Sequence, residues 1–587
     1  MGVPAAPVGD DGGMSTASLN SAQRAEHLAT MTDPAGVDVL VIGGGVTGAG
    51  IALDAATRGL TTAIVEAQDW ASGTSSRSSR LVHGGLRYLY NLDFKLVAEA
   101  LHERGLLLDR LAPHLVKAQP LLWPFKQPVV ERGYSTLGVG LYDAMALIGS
   151  KFHSAVPIQR HLSKKRALAN SPSLDPNSLV GAMVYHDARV DDARLVITLI
   201  RTAVANGALA ASRTSVVRLT RDAAGRVDGA IIRDHETGNE HRVRARHVIG
   251  ATGVWTEETQ HLAEARGGLK VLASKGIHIL VPRERIRSKT GMFLRTEKSV
   301  LFIIPWPRYW LIGTTDTAWH EQLRHPVPTR DDIRYLLDQA NLVFADKLTE
   351  DDVIGTWAGL RPLLQPGTLA PSASTKISRE HTVTEAAPGL TTIAGGKLTT
   401  YRVMAKDAVD VALGKDWTRT HPSITHEVPL LGADGWTASR ARAGTFGQRL
   451  GWTDAKVTEL LERYGSGLND FCAALTAAPD LNRPLAAEPA YLRGEVAWAV
   501  LHEGALHLED VLVNRVRVNV ERPDRGEAVV DEVGDLMASL LGWDDDTTAR
   551  EKANYRARIA AELAAQEQGS DAAASAARLA ADDLLPM

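Results

Sequence analysis

The sequence predicts an α/β fold, α+β overall, with a Rossmann-like domain, an antiparallel-sheet domain and a C-terminal helical cap. Three observations predict it. A strand–glycine turn–helix–strand unit begins at Val37, strand pairs with short turns fill the middle, and helical periodicity dominates from about Trp436 to Leu541. The 587 residues are too many for one core, and 44% hydrophobic with 23% charged residues is the composition of a folded chain. Lys and Arg total 65 against 69 Asp and Glu, a net charge of −4, so no basic field draws nucleic acid. The single cysteine, Cys472, excludes an intrachain disulfide or a multi-cysteine zinc site. No metal is expected, and Cys472 reads as a small buried apolar residue.

The elements follow in order. Val37–Ile42 is a short apolar run suited to a parallel strand buried on both faces. A glycine turn leads to an Ala-rich helix from Val46 to Arg58, which Gly59 ends, and Thr61–Glu66 is the next strand. Phe94 to Leu111 carries an apolar helical stripe. Asp191 and Asp192 cap a helix running through Ala205. Ser215–Leu219, Val227–Arg233 and Glu240–Arg244 read as strands, and His247–Gly253 as a strand entering a glycine turn. Ser299–Ile304 and Tyr309–Ile312 form a hairpin around Pro305-Trp-Pro-Arg308. The first 36 residues lack the basic start and apolar middle of a signal peptide, and no apolar run approaches the ~18 residues of a membrane span.

The first unit carries chemistry. Gly43-Gly-Gly45-Val-Thr-Gly48 fits G-x-G-x-x-G: Gly43 permits the turn, Gly45 lets backbone approach a pyrophosphate, and Gly48 lets helix and strand pack closely. Phosphates then lie at the helix N-terminus, where free N–H groups favour anions. Glu66, ending the second strand, can accept from both ribose hydroxyls and would repel a 2′-phosphate. The fingerprint alone does not separate NAD from FAD. The hydroxyl-rich Ser72–Arg80 segment offers donors to a second anionic stretch, and the paired glycines after His83 admit a flat ring close to backbone.

The order of motifs resembles the FAD-dependent (aerobic, respiratory) glycerol-3-phosphate dehydrogenase family, within the D-amino-acid-oxidase-like flavoproteins. The resemblance rests on Thr74-Ser75-Ser76, His83-Gly84-Gly85-Leu86-Arg87-Tyr88, Val190–Arg194 and Lys275-Gly276-x-His278. It rests further on Gly313–Asp316, Gly359-Leu-Arg361-Pro362 and Gly395-Gly396-Lys397-Leu398-Thr399-Thr400-Tyr401-Arg402. The family's usual Asn-Ala-Thr/Ala-Gly-Pro-Trp turn reads Gly250-Ala251-Thr-Gly253-Val-Trp255 here.

The resemblance implies FAD held by Gly43, Gly45, Gly48, Glu66, Thr74, Ser75, Ser76, His83, Gly84, Gly85, Ala251, Gly253 and the segment Gly395-Gly396-Lys397-Leu398-Thr399. It implies oxidation of sn-glycerol 3-phosphate to dihydroxyacetone phosphate by hydride transfer from C2 to the flavin. A substrate with nearly two negative charges needs cations, and Arg87, Arg361 and Lys397 fall in these motifs. His278 is the first choice for the base that takes the C2 hydroxyl proton, and Tyr88 can orient the substrate. Asp316 can reach substrate or form only an Asx turn, and the residues leave both open.

The expected acceptor is a respiratory quinone, which places the chain on the cytoplasmic side, peripheral to the inner face of the membrane. The basic loop Arg283–Lys289 is the candidate surface for anionic lipid. An oxygen-using oxidase and a non-catalytic FAD-binding regulator are the alternatives, and a homodimer is one assembly the sequence allows. In domain terms, 1–36 is expected to be a mobile extension. Segments 37–115, 186–272 and 350–425 form the FAD-binding domain, and 116–185 and 273–349 the antiparallel substrate domain. Residues 426–545 form the helical domain and 546–587 an Ala-rich tail.

Overall fold

The computed structural model describes residues 17–85, 93–127, 139–142, 156–264, 268–296, 300–365 and 381–585. Two sheets organise them. The first runs in the order β17 (His381–Ala387), β18 (Leu390–Gly395), β10 (Glu240–Gly250), β1 (Val37–Ile42), β2 (Thr62–Val65) and β7 (Leu209–Ala211). From β18 to β7 all neighbours are parallel. The first half of β10 extends outward to pair with β9 (Val227–Asp234), which pairs in turn with β8 (Thr214–Arg221). The helices Val46–Thr57, Asp192–Ala205 and Tyr401–Leu413 cover one face, packing Ile51, Leu195 and Met404 into one core with Val39, Val41 and Ile64. Burial on both faces is why β1 and β2 read as unbroken apolar runs.

The second sheet is mostly antiparallel. Its order is β15 (Thr317–Ala318), β11 (Val271–Pro282), β14 (Tyr309–Gly313), β13 (Val300–Pro305), β12 (Gly291–Arg295), β4 (Lys117–Phe125), β6 (Gly181–Arg189) and β3 (Leu81–Val82). The expected hairpin is present, with Pro305 opposite Trp310. The whole of β16 (Gly355–Leu364) pairs with Val271–Leu280 of β11, and β5 (Arg160–Ser163) pairs with β6. β3, β16 and the end of β6 fall within the segments expected for the FAD-binding domain, yet all three pair in the second sheet. Pairing partners far apart in sequence decide that, and no local pattern encodes them.

One terminal expectation also changes. Residues 17–36 are not a mobile extension. Asn20 caps a helix over Ser21–Met31, whose Leu28 and Met31 share a core with Val37 and Leu40, and Arg24 pairs with Asp234 at 2.5 Å. The Ala-rich tail is helical. A helix over Asp545–Gln566 buries Tyr555 and Ile559 against Val496, Leu512 and Val533. Burying Ile559 there stabilises by about 1.5–3 kcal/mol. A last helix, Asp571–Arg578, sets Asp571 against the buried Lys275, which also pairs with Asp332 at 2.5 Å. Cys472 is buried, and burial pushes its thiol up to about 12. Among the described residues, no helix is long and apolar enough to cross a membrane.

Candidate active site

The glycine turn after β1 has little room to vary. A Cβ on Gly48 would lie 1.8 Å from the Gly43 carbonyl oxygen, and one on Gly43, at φ +110°, 2.7 Å from that of Ala251. Gly45 is the N-cap of the following helix and contributes no side-chain cap. The Val46 amide donates to Ser75 Oγ at 3.0 Å, leaving the other first-turn amides open to a ligand. Glu66, just past β2, accepts from the Gly44 amide at 2.6 Å and the Gln68 amide at 2.8 Å. Burial raises its carboxyl above the ordinary value, against those two hydrogen bonds. A carboxylate has about four acceptor positions, so capacity for ribose hydroxyls remains.

These groups border a cavity of ≈ 500 Å³, within the range of cofactor sites. Of the residues expected at the cofactor, Gly43, Gly45, Glu66, Thr74, Ser75, Ala251, Gly253, Gly395, Gly396, Lys397 and Leu398 line it. Gly48 lies behind the wall, at the packing contact expected of it. Ser76 points elsewhere, His83, Gly84 and Gly85 are not in the wall, and Thr399 ties to the backbone of His83 at 3.1 Å. The Gly84 amide donates to Tyr142 Oη at 2.8 Å, within a buried cluster in which Arg104 and Tyr142 both contact Asp187. Arg87 and Tyr88 lie outside the described residues. Thr214, Ser215 and Val216 at the start of β8, together with Trp255 and Arg324, also line the cavity and were not anticipated. Thr214, Ser215 and Val216 come from a strand edge and Arg324 from a loop, without a motif, whereas Trp255 ends the quoted Gly250–Trp255 turn.

The segment Thr74–Ser79 links this cavity to the second sheet, residue by residue. Thr74 Oγ1 donates to the Leu360 carbonyl at 2.6 Å, and Ser78 donates through its amide and hydroxyl to Asp192 at 2.9 and 2.7 Å. Arg517, from the helical part, donates to the Ser76 carbonyl at 3.1 Å and pairs with Asp191 and Asp192. Burial alone would raise the Asp191 carboxyl, but Arg517 and Arg80 outweigh it and hold it well below the usual carboxylate range. Asp191 caps its helix as the sequence suggests, accepting from the Arg194 amide.

Ser79 Oγ lies 2.8 Å from His278 Nε2. His278 sits on β11 opposite Trp357 of β16, and its ring stacks on that indole at 5.1 Å. A Cβ on Gly313 would be 2.2 Å from His278 Cδ2, so the glycine is what admits the imidazole. Burial, then Arg361 and Arg80, pushes the imidazole well below its ordinary value, so it stands neutral at physiological pH. Arg361 donates to Thr314 Oγ1 at 3.0 Å and the Thr315 carbonyl at 2.9 Å, and pairs with Asp316 at 3.3 Å. Gly276 makes space for that guanidinium, since a Cβ there would lie 2.3 Å from Arg361 Nη2. Asp316 accepts from Arg361 and Ser274. Neither His278 nor Arg361 lines the cavity, but Pro362, which follows Arg361, does, and so does Ser78, which precedes the Ser79 bonded to His278.

The donor set tests positively for a dinucleotide. An uncapped helix start, a carboxylate at the adjoining strand end and a glycine segment at positive φ (Gly395 +81°, Gly396 +80°) all face one cavity. Comparison with known proteins decides the family. Residues 38–402 match the model of the FAD dependent oxidoreductases, and residues 423–548 match that of the C-terminal domain of alpha-glycerophosphate oxidase. A Mycobacterium tuberculosis protein named glycerol-3-phosphate dehydrogenase 2 is 49% identical over 578 residues, covering 98% of this chain and 97% of the relative. The chain belongs to the FAD-dependent glycerol-3-phosphate dehydrogenase family. Within that family the mitochondrial human glycerol-3-phosphate dehydrogenase is 36% identical, over 89% of this chain and 73% of its own. The solved Bacillus halodurans glycerol-3-phosphate dehydrogenase, complexed with FAD, superposes with a TM-score of 0.74 at 29% identity, covering 92% of this chain and 98% of that one. As a member of this family the chain is an FAD flavoenzyme, an oxidoreductase built on the mixed α/β fold with a helical C-terminal part.

Proposed function

We propose that this dehydrogenase oxidises sn-glycerol 3-phosphate at C2 to dihydroxyacetone phosphate and delivers the electrons to a respiratory quinone. The observation that carries the reading is a neutral, buried His278 in the field of the Arg361 guanidinium, next to the cofactor cavity that Ser78 and Pro362 line. In this reading Glu66 would hold the ribose of FAD, the first-turn amides after Gly45 its pyrophosphate, and Gly395–Leu398 its ring. Bound FAD supplies the two-electron acceptor for the hydride leaving C2. Arg361 binds the anionic substrate and stabilises charge on the C2 oxygen, held in orientation by Thr314, Thr315 and Asp316. His278 takes the hydroxyl proton at a ring nitrogen, and Ser79 fixes the ring plane. Arg87, Tyr88 and Lys397 complete the proposed substrate contacts.

The neutral imidazole has a signed consequence. A depressed pKa keeps His278 competent as the pH falls through the ordinary imidazole value of about 6.5. The acid limb of kcat/KM is therefore expected below that value, and to vanish from the profile of His278→Ala together with most turnover. An acid limb at or above 6.5 would remove His278 as the base.

Peripheral attachment rests on family resemblance and on the basic loop. There Arg285 is paired with Asp352 and Arg283 lies over Trp310 at 4.1 Å, while Arg287 and Lys289 stay exposed. The test of the acceptor is a substrate-driven assay with a soluble quinone analogue and with oxygen. Quinone reduction without hydrogen peroxide is expected; stoichiometric peroxide would instead make the protein an oxidase.

A further inference from the structure

A second cavity, of ≈ 60 Å³, lies where the Ser76–Arg80 segment, β16 and the C-terminal helices meet. Six arginines line it, Arg77, Arg80, Arg517, Arg525, Arg558 and Arg578, and Glu562 is the one carboxylate in its wall. Not all six need a further anion. Arg517 is matched by Asp191 and Asp192, and Arg558 by Glu509 and Glu562.

Of the other four, Arg77 and Arg525 have no carboxylate partner, while Arg80 feels Asp191 and Asp192 and Arg578 feels Glu562 and Asp583. Arg525 donates only to the carbonyls of Thr356 and Asn519 and to the Thr356 hydroxyl. Arg80 donates to Tyr309 Oη at 2.6 Å and lies over the faces of Trp306 and Trp357. Arg578 comes no closer to Glu562 than 4.0 Å. Arg77 makes no side-chain hydrogen bond or ion pair among the described residues. Burial, with Arg558 and Arg578 beside it, lowers its guanidinium to about 10. Concentrating like charges in a confined, poorly hydrated space is costly unless an anion neutralises them.

We propose that this cavity binds a small tetrahedral oxyanion, with dianionic inorganic phosphate as its ligand. Guanidinium groups are suited to it, because each presents a planar fork of donors to two oxygens of one anion. The cavity is much smaller than the cofactor cavity and has room for an ion of that size. The site is separate from the cofactor cavity: the two share no lining residue. It borders that cavity through one short segment, since Thr74 and Ser75 face the cofactor side and Ser76 and Arg77 face the oxyanion side. Its position joins parts of the chain more than 400 residues apart, so a bound oxyanion would tie the C-terminal helices to the cofactor loop.

The test is thermal unfolding of the FAD-loaded enzyme at constant ionic strength, with inorganic phosphate exchanged for chloride. A saturable rise in the midpoint is expected, on the order of 2 °C at a hundredfold excess over Kd. Phenyl phosphate, too large for the cavity, is expected to leave the midpoint unchanged. Arg77→Gln is expected to abolish the response while unfolding no earlier than wild type in chloride, because it relieves repulsion rather than breaking a bond. Arg525→Gln serves as the second variant and is expected to weaken the response. Arg361→Lys, altered on the substrate side, is expected to keep it. The proposal is overturned by a wild type indifferent to phosphate, or by an equal response to phenyl phosphate. It is overturned too if the response survives Arg77→Gln and is lost in Arg361→Lys, which would place the anion at the substrate site.

Discussion

Arg361→Lys is expected to lower kcat/KM by about 10²–10³ while the protein keeps its flavin. The guanidinium is held by three groups at once, Thr314 Oγ1, the Thr315 carbonyl and Asp316, which fixes its plane. A lysine ammonium keeps the charge but not the fork, so it cannot hold those partners and a two-oxygen contact to substrate together. Loss of a transition-state contact lowers kcat and kcat/KM in parallel, whereas loss of simple anion binding raises KM alone. Flavin-to-protein absorbance ratio and steady-state kinetics on the same preparation separate these cases. Wild-type turnover in this variant would remove Arg361 from the proposed chemistry.

Gly48→Ala is expected to yield protein that retains little or no flavin. Its Cβ would fall 1.8 Å from the Gly43 carbonyl oxygen, a backbone atom that no rotamer change can move away. Helix and strand would have to separate, and the turn that brings Gly45 up to the pyrophosphate would go with them. Gly45→Ala is the informative contrast. Its Cβ would meet only the Ser75 side chain, at 3.2 Å, so folding is expected to survive with weakened cofactor binding. The bound-flavin ratio and the unfolding midpoint of both variants check this. Equal flavin content in Gly48→Ala and wild type would contradict the packing argument.

What the sequence discloses and what it hides divide along physical lines. The βαβ unit, the glycine turn and the acidic strand end are local, and they stand in the structure where their spacing puts them. The approach of Gly395–Lys397 to the early glycines needs 350 residues of intervening chain; it was inferred through resemblance, not periodicity. Sheet membership of β16 was misplaced because it depends on β11, some eighty residues earlier. The helix over Ser21–Met31 was read as loose because its apolar face is only Leu28 and Met31, too little to stand out. Lys275, part of the Lys275-Gly276-x-His278 motif, is buried between Asp332 and Asp571 of the last helix, a contact no local pattern shows. The arginine cavity was equally hidden, since its side chains come from segments scattered between Arg77 and Arg578.

The account stands or falls on one measurement, anaerobic addition of sn-glycerol 3-phosphate to the purified yellow enzyme in the absence of any acceptor. Bleaching of the visible flavin band is expected, with one dihydroxyacetone phosphate formed per flavin reduced. An unchanged spectrum with sn-glycerol 3-phosphate, or bleaching by an amine or amino acid instead, would contradict it.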